Sequence, residues 1–148
     1  MAKKEIEDIR LLFNFLEKQM KNCTENEIEE LKQLGKGKPL PKNYIEFMKM
    51  AGNGVNFLKG SDYTVSYVYK LKEWAIELLK ENDCSQNLTD NDFVFFMHQG
   101  YQFAFFKLDE GDDPPVYYYH EGDDFFTEYK SFSDFLIEQY NGFRMISV

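Results

Sequence analysis

The segment FFMHQGYQFAFF, from Phe95 to Phe106, constrains the fold more than any other stretch of the chain. With Gln99-Gly100 read as a two-residue turn, Val94, Phe96 and His98 share one face with Phe105, Phe103 and Tyr101. Phe93, Phe95 and Met97 then share the other with Phe106, Ala104 and Gln102. Both faces of this hairpin are apolar, so neither can be left to water. The pattern predicts a central pair of strands, flanked by further strands and covered on both sides.

The rest of the chain supplies those neighbours. Ile6, Ile9, Leu12, Phe13 and Leu16 recur at three- and four-residue steps, which predicts an amphipathic helix over residues 5–18. Thr24-Glu25-Asn26-Glu27 is a capping box, and Ile28 and Leu31 follow as the inward face of a short helix that ends at Gly35-Lys36-Gly37-Lys38-Pro39. Pro41 suits the first position of another helix, whose buried stripe is Tyr44, Phe47, Met48 and Ala51 and whose end is Gly52-Asn53-Gly54. Residues Val55 to Tyr69 favour strands, with Tyr63, Val65, Tyr67 and Tyr69 on one face. Leu71, Trp74, Ala75, Leu78 and Leu79 are spaced for a helix, and Glu81 to Asp92 form a polar loop. After the hairpin, Pro114 and Pro115 delay a strand over Val116 to His120, and a short strand follows over Phe125 to Tyr129. Ser131 and Asp134 start a last helix that buries Phe132, Phe135, Leu136 and Tyr140. Strands grouped between helices predict an α+β single domain, an antiparallel β-sheet flanked by helices.

Charge is unevenly distributed along the chain. Residues 1–80 carry 12 acids and 14 bases, whereas residues 81–148 carry 14 acids and 3 bases. Such an acidic half repels nucleic acid and anionic lipid and attracts a basic partner at salt-dependent rates. The aromatic run has no lysine or arginine within it, which disfavours base stacking as its role. No apolar stretch approaches the ~20 residues of a membrane span, and the N-terminal MAKKEIEDIR has no secretory apolar core. A soluble, reducing, cytoplasmic setting is expected.

A hydrolase with paired carboxylates stays open, because their separation is spatial, but no motif in the chain resembles catalytic or metal-binding machinery. Cys23 and Cys84 have no Cys-x-x-Cys spacing and no histidines beside them. His98 falls at the hairpin bend, where stacking on Tyr101 accounts for it. His120 ends a strand before an acidic turn, where pairing with Glu121 or Asp123 accounts for it. Gly35-Lys36-Gly37-Lys38 lacks the spacing and the strand-to-helix setting of a phosphate cradle. Asp109-Glu110-Gly111-Asp112-Asp113 lacks the alternating ligands and closing glutamate of a calcium loop. No catalytic residue, cofactor or metal is expected.

Several of these stretches, in this order, resemble the SUKH superfamily, which includes the yeast glucan-synthesis and cell-wall regulator and bacterial toxin-immunity proteins. The matching features are Leu40-Pro41-Lys42-Asn43-Tyr44-Ile45-Glu46-Phe47, Asn53-Gly54, the Phe93 to Phe106 hairpin with Gly100, Pro115-Val116-Tyr117, and Ser131-Phe132-Ser133-Asp134-Phe135-Leu136. They span roughly residues 24–140. The resemblance implies one SUKH-like domain over residues 1–148, with the 5–18 helix packed on it, and no catalytic apparatus. It implies a protein that binds and neutralises a cognate toxin, often a nuclease, with a regulatory scaffold for cell-wall or glucan synthesis as the alternative.

Charge and resemblance meet in one expectation. Nuclease toxins hold basic residues where they grip phosphate, so the binding surface is expected at the acidic loops: Asp109, Glu110, Asp112 and Asp113, then Glu121, Asp123 and Asp124. Tyr117, Tyr118 and Tyr119 alternate faces, and Tyr118 is the candidate aromatic anchor between those loops. The expected partner is a protein, a basic toxin domain, with neither nucleic acid nor membrane.

Overall fold

The computed structural model describes residues 20–146, so the helix expected over residues 5–18 lies outside the described residues. In chain order the elements are β1 (Met20–Lys21), α1 (Glu25–Gln33), α2 (Lys42–Ala51), β2 (Gly54–Val55), a 3-10 turn (Asn56–Leu58) and β3 (Ser61–Asp62). Then come α3 (Val68–Glu81), β4 (Asp92–His98), β5 (Gln102–Lys107), β6 (Val116–His120), β7 (Thr127–Tyr129) and α4 (Phe132–Ile146). The main sheet is antiparallel with order β3-β4-β5-β6-β7, and β1 pairs with β2 in a second, two-stranded sheet. The fold is α+β, and the aromatic hairpin β4–β5 is flanked by β3 on one side and β6 on the other.

Both faces of the hairpin are covered. On one face Tyr44 of α2 meets Phe93, Phe95, Phe106 and Phe132 with ring centroids 5.6, 6.0, 5.2 and 5.6 Å away, all edge-on. Each such pair adds about 0.5–1.5 kcal/mol beyond area burial. Phe135 of α4 closes the same layer against Phe95, Phe96 and Tyr118. On the other face Val94, Met97, Phe103 and Phe105 are buried. There α3 packs against β4, and Phe126 lies 5.1 Å from Phe105 and 6.1 Å from Tyr119.

The hairpin turn is one residue longer than the two-residue reading. His98 pairs with Gln102, Met97 with Phe103 and Phe96 with Ala104, and a bulge then restores the expected Val94–Phe105 and Phe93–Phe106 pairs. Gln99 and Gly100 adopt φ of 51° and 83°; Gly100 accepts the left-handed region without steric cost, whereas Gln99 is held there as a non-glycine residue. The bulge puts consecutive residues Phe95 and Phe96 on the same side, where both reach Phe135.

The long strand expected from Val55 to Tyr69 does not form. Only Gly54–Val55 and Ser61–Asp62 pair, and α3 begins at Val68. Val68, Leu71, Ala75 and Leu78 are all buried at helical spacing, so helix packing overrides the strand preference of the preceding tyrosines and leaves Tyr67 and Tyr69 exposed. Elsewhere local chemistry holds. Thr24 N–H donates to Glu27 Oε1 at 2.8 Å and Glu27 N–H to Thr24 Oγ1 at 3.1 Å, completing the capping box of α1. At α4, Asp134 N–H donates to Ser131 Oγ at 3.0 Å.

Candidate protein-binding surface

The two acidic groups singled out in the sequence lie at opposite ends of β6. That strand has five residues, which at about 3.3 Å each separate the groups by roughly 17 Å. The loop before β6 works largely as a clamp. Asp113 Oδ1 accepts from Ser133 N–H at 2.9 Å, in the first turn of α4, where the helix dipole favours an anion. Ser133 Oγ accepts from Asn43 Nδ2 at 3.2 Å, and Asn43 N–H donates to the Asp112 carbonyl at 2.9 Å, so the starts of α2 and α4 are tied together here. Asp109 accepts from Asn91 Nδ2, and Glu110 from the Tyr117 hydroxyl at 3.2 Å. Asp109, Glu110 and Asp112 remain exposed, while Asp113 is half-buried.

The turn after β6 divides its acids in the same way. Asp124 accepts from the Ser85 N–H at 2.7 Å and the Ser85 hydroxyl at 2.8 Å, which hold its carboxyl below the usual aspartate range and pin the turn to the loop after α3. Glu121 is held through its backbone, its N–H donating to the Tyr101 carbonyl at 2.9 Å, and its side chain is exposed. Asp123 N–H donates to the His120 carbonyl at 3.0 Å. Tyr118 is packed into the α4 side of the sheet, its ring near Phe96 and Phe135 and its hydroxyl donating to Gln102 at 2.6 Å. Tyr101, 40% exposed, and Phe125, 60% exposed, are aromatics that this end of the sheet presents.

Around the hairpin tip the fold gathers acids that are far apart in sequence. A depression of about 290 Å³ beside Gly100 is lined by Asp62, Trp74, Glu77 and Glu81 among others. Trp74, Glu77 and Glu81 share it because steps of three and four residues place them on one face of α3. Asp62 reaches it because β3 pairs with the end of β4, Asp62 opposite Met97 and Ser61 opposite His98. The three ion pairs among the described residues use Glu29, Glu46 and Asp92. Asp62, Glu77, Glu81, Glu121 and Asp123 therefore have no lysine or arginine within 4.0 Å among the described residues. Glu81, moreover, ends α3, where the helix dipole already repels a carboxylate. The sequence held a signal for the α3 residues in their spacing. It held none for Asp62, which was read inside a longer strand.

Both histidines and both cysteines have structural surroundings. His98 Nδ1 lies 2.9 Å from Ser61 Oγ, tying β4 to β3 rather than stacking on Tyr101. The exposed His120 ring has its centroid 5.8 Å from that of Tyr118. Burial, with Glu27 adding to it, pushes the Cys23 thiol up to about 11, far from a reactive thiolate. Among the described residues no group of three or more His, Cys, Asp and Glu is arranged to hold a metal ion, and no helix is long and apolar enough to cross a membrane. Residues 22–138, from just after β1 into α4, match the family model for the SMI1/KNR4 family (SUKH-1). No curated protein matches the chain.

Proposed function

The chain belongs to the SMI1/KNR4 family (SUKH-1), and from that premise we propose that it is an immunity protein that neutralises a basic toxin domain. The family fits a non-catalytic immunity or regulatory role in general, exercised through protein–protein contact. The observation that carries the finer reading is the acidic end of the sheet. Asp62, Glu77, Glu81, Glu121 and Asp123 lack basic partners there, and Trp74 and Tyr101 lie alongside them. The Glu81 carboxylate at the C-terminus of α3 weakens the fold slightly, so its presence beside the other acids is better explained by a partner than by stability. Opposite charge on a nuclease toxin, where it grips phosphate, accelerates encounter, and flanking aromatics provide area for a stable complex. Asp109, Glu110 and Asp112 form a second acidic region at the other end of β6. Asp113 and Asp124 serve the surface by holding its loops.

Co-expression tests the proposal. Cells producing the toxin encoded beside this gene survive when the wild-type chain is present, and the two proteins purify together. Loss of rescue by a folded Glu77→Lys/Glu121→Lys variant supports the acidic end as the contact. Full rescue by that variant, or no rescue by the wild type, refutes it. The match to the SMI1/KNR4 family also favours a second reading, a regulatory scaffold for cell-wall or glucan synthesis. Toxin and secretion genes nearby favour immunity, and envelope-synthesis genes favour regulation.

A further inference from the structure

At the other end of β4 three lysines gather around a cavity, next to the loop that carries Asp109. A cavity of about 420 Å³ opens between the loop after α1, the first turn of α3 and the start of β4, a volume within the ~300–1,000 Å³ range of small-ligand pockets. In a chain of net charge −9, Lys36, Lys38 and Lys72 all line it. The loop that carries two of them is built to a fixed shape. A Cβ on Gly35 would sit 2.2 Å from the Lys38 carbonyl oxygen, Lys38 N–H donates back to the Gly35 carbonyl at 3.0 Å, and Lys36 adopts φ of 51°.

Lys38 and Lys72 are hydrogen-bonded to neutral groups rather than ion-paired, and the Asn91 amide that accepts from Lys38 donates in turn to Asp109. Lys38 Nζ donates to Asn91 Oδ1 at 2.7 Å and Lys72 Nζ to the Thr89 carbonyl at 2.6 Å, both neutral acceptors. None of the three has a carboxylate within 4.0 Å among the described residues. Of the two acids in the lining, Asp92 is buried and committed, accepting from Thr89 N–H at 2.8 Å and from Lys107 Nζ at 3.1 Å. Asp90 is exposed and leaves the cavity with a positive excess. Burial, with repulsion from Lys36, holds Lys72 below the usual lysine range against the pull of Asp92 and Asp90, so an added anion relieves a cost already present. Val68, Val94 and Leu108 give the cavity apolar walls, and the exposed Tyr69 ring stands at its side.

We propose that this cavity is an anion-binding site that takes a phosphate or carboxylate group, with its apolar walls accepting a small non-polar portion of the same ligand. The arrangement differs from a phosphate-binding strand–loop–helix, because the lysines come from a helix C-terminal loop and from a second helix. Their charge, rather than a cradle of amides, supplies the recognition.

The test is a backbone-amide NMR titration of the full chain with inorganic pyrophosphate and, separately, with triglutamate. The expected result is saturable shifts at Lys36, Tyr69, Lys72 and Val94 that weaken with added salt. The Lys36→Gln/Lys72→Gln variant, which removes two of the three lysine charges, is expected to raise the dissociation constant roughly tenfold or more, about 1.4 kcal/mol, with unchanged spectra elsewhere. Saturation by pyrophosphate alone assigns a phosphate ligand, and saturation by triglutamate alone assigns a carboxylate. No saturable shift with either probe, or an unchanged constant in the variant, overturns the proposal. The titration needs no toxin, so its result is independent of the immunity reading.

Discussion

Replacing Glu81 with lysine separates binding from stability, because the proposed surface asks the fold to carry a charge that it does not favour. Glu81 is the last residue of α3, is exposed, and takes no part in the ion pairs among the described residues. A carboxylate at a helix C-terminus costs about 0.3–1 kcal/mol and an ammonium there gains about as much. Glu81→Lys is thus expected to stabilise the protein by about 1 kcal/mol, raising Tm by roughly 2–4 °C for a chain of this size. Association should move the other way. At about 10 Å in water a unit charge pair is worth about 0.4 kcal/mol before screening. A two-unit change facing three or four basic groups then removes on the order of 1 kcal/mol at physiological salt, slowing encounter about fourfold.

Circular-dichroism melting and stopped-flow mixing with the cognate toxin at low and high salt measure the two effects on one preparation. A higher Tm with a slower, less salt-sensitive association is the expected pair of results. Lower stability would show that the Glu81 carboxylate has a structural role at the α3 terminus. An unchanged association rate at low salt would remove the hairpin end from the binding surface.

Three further outcomes follow from named bonds. Ser85 lowers the carboxyl pKa of Asp124 in the folded state, so its contribution is complete above the unfolded value of 3.8 and is lost as pH falls through the lower folded value. Asp124→Asn should accordingly flatten the acid limb of stability below about pH 4 in melts at stepped pH, and an unaltered limb would refute the linkage. Asp113→Ala removes the acceptor for Ser133 N–H at the start of α4, with an expected loss of about 1 kcal/mol in urea unfolding and an unchanged toxin association rate. A slower rate in that variant would return Asp113 to the contact surface. Gly100→Val forces a β-branched residue to φ of 83° and is expected to cost about 1–2 kcal/mol or more, whereas His98→Gln keeps a side-chain hydrogen-bonding group for Ser61 and should melt close to the wild type.

Much of the fold was readable in the chain because it rests on local chemistry. The Thr24–Glu27 capping box, the Ser131 cap and the helical stripe from Leu71 to Leu79 are each decided within a few residues. Register was readable only in part. Both faces of the β4–β5 hairpin are apolar, so a one-residue slip exposes nothing polar to the core, and hydrophobic alternation loses its power to fix pairing. What chooses the longer turn and the bulge is the packing of Phe95 and Phe96 together on Phe135 of α4. That contact joins residues about forty positions apart. The missing strand before α3 has the same origin, since Val68 fits a strand by type and a helix by its spacing to Leu71 and Ala75.

Charge shows the limit most directly. Counted along the chain, Asp109 to Asp113 and Asp123 to Asp124 look like one acidic region interrupted by three tyrosines, yet β6 holds them at opposite ends. Meanwhile Asp62 and Glu77, from the half of the chain with a slight basic excess, reach the hairpin tip through strand pairing and helix spacing, at the end of the sheet where Glu121 follows β6. The same folding collects Lys36, Lys38 and Lys72 around the start of β4. The seven residues of β4 span roughly 20 Å, with carboxylates outside any ion pair beyond one end and three lysines against two lining acids beyond the other. That separation exceeds the ~8 Å screening length at physiological salt, so each end acts on an approaching molecule nearly independently. On the two proposals made above, a basic protein would approach the hairpin tip and a small anion the lysine cavity.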